Sequence, residues 1–200
     1  MLELPTDLPA DLAPLAWLIG VWEGTGVIDY TVGESRLQGE FAHRVSFSHD
    51  GGPFLNYSGT ATFLGDGDSA PVPLIAESGF WRLSRPASAS DAGPALLPPL
   101  APVVTRTVDD VESLRAASGG FPIEVSLTHS DGILELYLGE IDGPRVDIAS
   151  DAIVRGAGAK EYSAATRMYG LVEDHLLWAW DIAALGTPLR SHASARLARV

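Results

Sequence analysis

Short runs of alternating apolar and polar residues fill the chain from residue 19 onward, and turn-forming residues separate them. Val, Ile, Phe, Tyr and Trp are frequent within the runs, a composition and period typical of strands with one buried face. The pattern predicts eleven strands, over residues 19–30, 39–49, 54–64, 74–83, 123–129, 133–139, 145–150, 152–155, 161–171, 176–183 and 191–198.

The breaks between these runs are short and rich in aspartate and glycine, as in residues 50–53, 65–68, 130–132 and 141–144. Such residues tolerate the positive φ values that tight hairpins require. Consecutive hairpins make an antiparallel up-and-down sheet, and eleven strands are too many for one open sheet. We therefore predict an all-β fold that closes into a barrel and so removes its edges, with a sandwich as the alternative.

Large side chains recur at every second position of several runs. Phe41, Val45 and Phe47 share one parity, and Trp178, Trp180 and Ile182 share another. These side chains should point to one interior, where they either fill a small barrel or line a ligand cavity. The pattern leaves both interpretations open.

Two segments depart from the strand pattern. Residues 4–20 predict a short helix that acts as a lid or plug, with Asp7 as its cap, Pro9 near its start and an apolar face of Leu8, Leu12, Leu15 and Trp17. Residues 84–120 are proline-rich and of low complexity, followed by a sequence suited to one short helix. We interpret them as a flexible loop inserted into a single domain that spans residues 1–200.

Composition excludes several functions. The 26 acidic and 13 basic residues give a net charge of −13, which repels nucleic acid and anionic membrane surfaces. No cysteine is present, so thiolate catalysis, disulfides and iron–sulfur ligation are excluded. The first 20 residues lack a basic cluster, and no run of 18 apolar residues occurs. These features predict a soluble cytoplasmic protein.

Histidines are the strongest candidates for metal ligands or general bases. The chain has five, and none forms a closely spaced metal-binding pair: His43, His49, His129, His175 and His192. Because His49, His129 and His175 adjoin predicted turns, we expect these three to be solvated turn residues.

A glycine-rich pattern, Gly20-x-Trp22-x-Gly24-x-Gly26, places four residues on one face of the first strand. Missing side chains on that face allow an indole, another strand or a planar ligand to approach the backbone closely.

This pattern, within LAWLIGVWEGTG, resembles the start of the nitrobindin family, whose signature is G-x-W-x-G-x-G. FSHDGGPFLNY, AESGFWR and residues 159–197 resemble its later strands, so the likeness covers nearly everything outside 84–120. The resemblance implies a ten-stranded antiparallel barrel, similar to fatty-acid-binding proteins, that holds one haem b per chain. A histidine on the last strand is then the proximal iron ligand.

The family's Pro-Leu-x-x-His motif matches residues 188–192 of this chain. The match implies that His192 is the iron ligand and acts in catalysis through the haem iron. His192 shares a parity with Ser194 and Arg196, the more polar face, so a β-bulge or a position at the mouth is needed to turn it inward. Ile75 stands where some members have a histidine, which implies an apolar distal pocket without a hydrogen-bond donor.

Other site residues follow from the same likeness. The family's Tyr-Pro-Thr stretch is replaced by residues 27–30 and an insertion over 31–38. Lys160 either neutralises a haem propionate or is a solvated surface lysine. Trp178, Trp180 and Ile182 shield the porphyrin. Trp22 with Arg196 or Arg199 resembles the pair that closes barrel floors in related folds.

The resemblance implies a haem-dependent isomerase that converts peroxynitrite to nitrate at ferric iron and binds nitric oxide reversibly. Expected partners are these small molecules, and a homodimer stays open. The alternatives are a non-catalytic carrier of a fatty acid or another apolar ligand, and a filled barrel that serves only as an interaction module.

Overall fold

The computed structural model, which describes residues 8–65 and 70–200, is a closed barrel of ten antiparallel strands. Each strand pairs with its neighbours in sequence, and the first pairs with the last. The strands are β1 (Gly20–Val32), β2 (Ser35–Ser48), β3 (Phe54–Phe63), β4 (Val72–Leu83), β5 (Phe121–His129), β6 (Ile133–Asp142), β7 (Arg145–Arg155), β8 (Tyr162–Val172), β9 (His175–Ala184) and β10 (Thr187–Arg199). The predicted barrel is confirmed and the sandwich was wrong.

Two sequence-based boundaries were wrong for the same reason, namely that polar residues continue a strand. Residues 145–150 and 152–155 form one strand, β7, because the register shifts by one residue at Asp151 and pairing with β6 resumes beyond it. Residues 31–38, which the predicted strand bounds left between two strands, mostly belong to those strands. They extend the β1–β2 hairpin around a turn in which Gly33 takes a φ of +58°.

A 3₁₀ helix over Ala10–Leu18 closes one end of the barrel. Leu12, Leu15 and Leu18 are spaced by three residues, one 3₁₀ turn, and all three are fully buried. The helix packs against β3, β4 and β6, so the predicted plug is present with a tighter period than an α-helix. Asp7 and the residues before it lie outside the described part of the chain.

Trp22 anchors this closed end. Its indole Nε1 donates a 2.8 Å hydrogen bond to the carbonyl of Leu18, and Arg199 Cζ lies 4.2 Å from the centre of its ring. Arg199 also donates to the carbonyl of Trp17 at 2.9 Å. Of the two arginines considered for the floor, Arg199 is therefore the partner of Trp22.

The glycines of the same motif allow close strand packing. A Cβ atom on Gly24 would overlap the backbone of Arg196 on β10, and one on Gly26 would lie 2.6 Å from Phe41 Cζ and 2.8 Å from Ala195 Cβ. The motif thus serves strand closure and ring packing.

The segment between β4 and β5 contains the predicted helix, α1, over Val108–Glu112. Thr107 and Asp110 cap α1 reciprocally, Val111 is buried in the core, and Arg106 lies 3.5 Å from Asp11 of the 3₁₀ helix. Within residues 8–65 and 70–200, no helix is both long and apolar enough to cross a bilayer.

Candidate functional site

A cavity lies toward the end of the barrel opposite the 3₁₀ helix, between β1–β4 and β9–β10. Its volume is about 180 Å³, which is smaller than the roughly 300–1,000 Å³ of most ligand pockets. The polar lining residues are His43, Glu77 and His192. The remaining lining is apolar: Ile28, Phe41, Ala61, Leu74, Ile75, Trp178, Trp180 and Ala193.

His192 points into this cavity because β10 carries a β-bulge at that position. The register between β9 and β10 shifts between Ser191 and Ala193, so His192 joins Ala193 on the inner face. Its ring meets the edges of Trp180 and Tyr30, with centroid distances of 5.1 and 5.7 Å. Of the two explanations that the parity of this strand left open, the structure contains the β-bulge.

The two ring nitrogens of His192 have different environments. Nδ1 donates a 2.9 Å hydrogen bond to the carbonyl of Trp180, which leaves Nε2 with a lone pair. Burial lowers the pKa of His192 to about 4, and the positive charge of Arg167 adds to this shift. The imidazole is therefore neutral near pH 7. A histidine held through its other nitrogen by a carbonyl is the usual arrangement for metal ligation.

The remaining predicted residues occupy different places. Ile75, Trp178 and Trp180 line the cavity. Ile182 is half-buried and packs against the core, outside this lining. Lys160 is exposed in the β7–β8 connection, where Arg155 donates to its carbonyl at 3.3 Å. This connection lies at the same end of the barrel as the cavity mouth.

His43 lines the cavity, although its position in the sequence did not distinguish it from the other histidines. It is only 4% exposed, lines the cavity from β2, and donates from Nδ1 to the carbonyl of Thr60 at 3.0 Å. His43 pairs with Ala61, which pairs with Ile75, so the three residues form one row across β2, β3 and β4. The wall around Ile75 is therefore not wholly apolar as expected. The sequence did contain a signal for its burial, because His43 has the same strand parity as Phe41, Val45 and Phe47.

A charged cluster lies in the barrel beneath the cavity. Arg167 of β8 forms a bidentate ion pair with Glu77 of β4, at 2.8 and 2.9 Å, and lies 3.3 Å from Glu135 of β6. His129 Nε2 lies 2.7 Å from Glu135, and the histidine is 4% exposed. His129 is thus a core residue. The prediction of a solvated turn residue was wrong, because its side chain shares the buried face of β5 with Val125 and Leu127. His49 and His175 are half-buried beside turns.

Tyrosine hydroxyls complete this cluster. Tyr57 donates to Glu77 at 2.5 Å, and Tyr137 and Tyr162 each donate to Glu135 at 2.6 Å. Burial alone would raise the pKa of Glu77, but the charge and hydrogen bonds of Arg167 outweigh it and lower the pKa to about 2. Arg167 also stacks on Trp180, with Cζ 3.9 Å from the ring centre. These contacts therefore occupy the guanidinium group of Arg167.

The chain resembles known proteins over nearly its whole length. Residues 11–199 match the family described as "THAP4-like, heme-binding beta-barrel domain". A protein of Leifsonia xyli subsp. xyli named peroxynitrite isomerase is 61% identical, over 100% of this chain and 99% of its own. A protein of the same name from Clavibacter michiganensis subsp. michiganensis is 56% identical over 100% of both chains.

The barrel also resembles a solved structure. Rv2717c from M. tuberculosis superposes with a TM-score of 0.65 at 26% sequence identity, over 99% of each chain. The architecture is therefore shared beyond the most similar sequences.

Proposed function

The chain belongs to the family of THAP4-like, haem-binding β-barrel domains, and on that premise we propose that it isomerises peroxynitrite to nitrate at one ferric haem b per chain. The relatives named peroxynitrite isomerase support this activity because they match the chain over its full length. When bound, the haem supplies a Lewis-acidic ferric iron at which peroxynitrite rearranges, with no atom gained or lost.

The geometry of His192 is the observation that carries the proposal. A neutral imidazole, fixed through Nδ1 to the carbonyl of Trp180, presents Nε2 to an apolar cavity. This is the donor that a haem iron takes from a protein, and the hydrogen bond to the carbonyl sets both its tautomer and its orientation. His192 would hold the iron, and Trp180 would orient His192.

The other residues in and around the cavity exclude water and balance charge. Phe41, Trp178 and Trp180 form an aromatic wall that keeps water from one side of the cavity, and Ile75 does so from β4. Ile182 supports this wall from the adjoining core. Glu77 faces the cavity, but Arg167 neutralises its charge. A small anion therefore meets no uncompensated carboxylate among the described lining residues.

Two finer points belong to the same proposal. A haem held by His192 would also bind nitric oxide reversibly, since nitric oxide is small and uncharged. Lys160 would pair with a propionate, because its connection lies at the mouth end of the barrel and its side chain is exposed. Replacing it by methionine should weaken hemin binding by roughly two- to fivefold, the strength of an exposed ion pair.

The carrier alternative fits the site less well. A fatty-acid carboxylate in a barrel needs an available cation, and no described lining residue is a lysine or arginine. Arg167 lies below the cavity and is saturated by Glu77 and Glu135. A carboxylate would therefore be buried without a partner, which is unfavourable.

A hemin titration tests the assignment of the iron. We expect the wild-type protein to produce a Soret band at one equivalent, and His192→Ala to lose it or weaken hemin binding by at least tenfold. His175→Ala is the matched control, because that histidine lies at the opposite end of β9, outside the cavity. An unchanged titration for His192→Ala would refute the assignment.

Activity is measured on the loaded protein. Stopped-flow absorbance should show that peroxynitrite decays faster in proportion to bound haem, and ion chromatography should find nitrate as the product. A decay rate equal to that of apoprotein would refute the proposed reaction.

Location and assembly are further parts of the proposal. We expect a cytoplasmic protein without nucleic-acid or membrane partners, which the net charge of −13 supports. A homodimer is supported by exposed apolar side chains on the outer face of β4, β6 and β7, namely Phe80, Leu134, Leu136 and Val154. Sedimentation velocity of the wild type and of Phe80→Ser measures the assembly, and a monomer in the wild type would exclude the dimer.

A further inference from the structure

One ring nitrogen of His43 lacks the hydrogen-bond partner that a buried polar atom normally has. Its Nε2 is buried and has no hydrogen-bond partner among the described residues. An unpaired polar atom inside a protein is unfavourable unless a ligand or water completes its hydrogen bonding. Because His43 lines the cavity, the missing partner is expected to come from the cavity side.

The hydrogen bond at Nδ1 determines what Nε2 can do. A carbonyl can only accept, so Nδ1 must carry the proton that it donates to Thr60. Burial lowers the pKa of His43, which keeps the ring neutral. Nε2 therefore carries a lone pair and no proton, and it acts as an acceptor.

The surroundings of His43 restrict its partner to a cavity ligand. Its ring lies against Trp178, with centroids 4.7 Å apart, and Phe41 approaches it edge-on at 5.9 Å. Its neighbour in the row across the sheet is Ala61, whose methyl group has no polar atom. The nearby polar lining residue, Glu77, is taken by Arg167 and Tyr57.

His43 and His192 occupy different parts of the same cavity. His43 packs on Trp178, whereas His192 packs on Trp180, two residues further along β9. One histidine is therefore placed to hold the iron, and the other contacts what occupies the inner part of the cavity.

We propose that His43 Nε2 accepts a hydrogen bond from the ligand bound in the cavity, so that the site favours ligands carrying an O–H or N–H group over bare anions. This inference rests on the proposed haem at His192. The form of the substrate that binds is then peroxynitrous acid. Nitrate, the product, has no hydrogen to donate and faces the lone pair of Nε2, which promotes its release. The proton leaves to solvent, because the isomer of peroxynitrous acid is nitric acid, a strong acid.

Ligand binding to the hemin-loaded ferric protein tests this role. His43→Phe keeps a flat ring and removes the acceptor, His43→Leu repeats the removal with a different shape, and His43→Gln retains an acceptor oxygen. His49→Phe is the control, since that histidine lies outside the cavity. Absorption and resonance Raman spectra report the water-bound, six-coordinate fraction, and titration gives the azide dissociation constant.

Both acceptor-deleting variants should bind water roughly three- to tenfold more weakly, the strength of one hydrogen bond. They should bind azide as tightly as the wild type or more tightly, and His43→Gln should retain water binding. Unchanged water binding in the variants would overturn the proposal. Weakened azide binding would do the same, because it would mean that Nε2 donates. A wild-type protein without a Soret band would instead count against the proposed function itself.

Discussion

At the scale of single residues, one extra residue in β10 decides the direction of His192. Side chains alternate strictly along a regular strand, so His192 would share the outward face of Ser194 and Arg196. The β-bulge between Ser191 and Ala193 breaks this alternation and turns the imidazole toward the cavity. The resemblance to the family predicted an inward-facing His192, and local strand geometry explains how its ring reaches the cavity.

Gly26 provides a residue-scale prediction about strand closure. Gly26→Ala should lower the free energy of unfolding by about 1–3 kcal/mol, because the added Cβ would collide with Phe41 and Ala195. Chemical denaturation measures the change. Gly158→Ala is the matched control, since a Cβ there meets nothing within 4 Å, and it should change stability by less than about 0.5 kcal/mol. Equal effects of the two substitutions would mean that close packing at Gly26 is unimportant.

At the scale of elements, the ion pair between Glu77 and Arg167 connects β4 to β8, two strands that are not neighbours in the sheet. Its partners are wholly buried, so removing one leaves an uncompensated charge in the core. The pair therefore fixes opposite walls of the barrel beneath the cavity.

Glu77→Gln should lower the free energy of unfolding by about 3–5 kcal/mol, as expected for a broken buried pair. Glu124→Gln is the control, because its partner Arg82 is largely exposed, and it should cost no more than about 1 kcal/mol. Urea denaturation of both variants measures this difference. Similar losses of stability in the two variants would show that the Glu77–Arg167 pair does not hold β4 and β8 together.

At the scale of the whole molecule, acid unfolding should reflect the same cluster. The folded-state pKa of Glu77 is lowered from 4.5 to about 2, so its contribution is complete above pH 4.5 and disappears as the pH falls toward 2. Stability measured by denaturation should decline across this window. The decline should be shallower in Glu77→Gln, and an identical slope in both proteins would contradict the assignment.

The net charge of −13 gives a second prediction at this scale. Azide, an anion with the same charge as peroxynitrite, should associate with the ferric protein more slowly at low salt. Raising the ionic strength from about 0.01 to 0.15 M shortens the Debye length from about 30 to 8 Å and should increase this rate roughly twofold or more. Carbon monoxide binding to the ferrous form is the uncharged control and should not respond. An azide rate independent of salt would mean that the surface charge does not act at the mouth.

Much of the architecture was readable from local pattern. Alternation and turn residues predicted the antiparallel barrel, because strand faces and hairpins depend on residues close in sequence. The hydrophobic pattern predicted the wrong strand boundaries where polar residues take part in strand pairing. Asp151 interrupts the apolar alternation without ending β7. Polar residues between 29 and 38 continue the pairing of β1 with β2 up to the turn at Gly33.

By itself, the sequence pattern determined the closed antiparallel sheet and the plug at one end. Its likeness to known families indicated the Trp22–arginine floor and the role proposed for His192. Only the tertiary structure decided which histidines are buried together with which partners. His43 faces the cavity and His129 joins the Glu135 cluster because strands distant in sequence converge inside the barrel. Burial and pairing depend on those distant contacts, and the order of residues along one strand does not contain them.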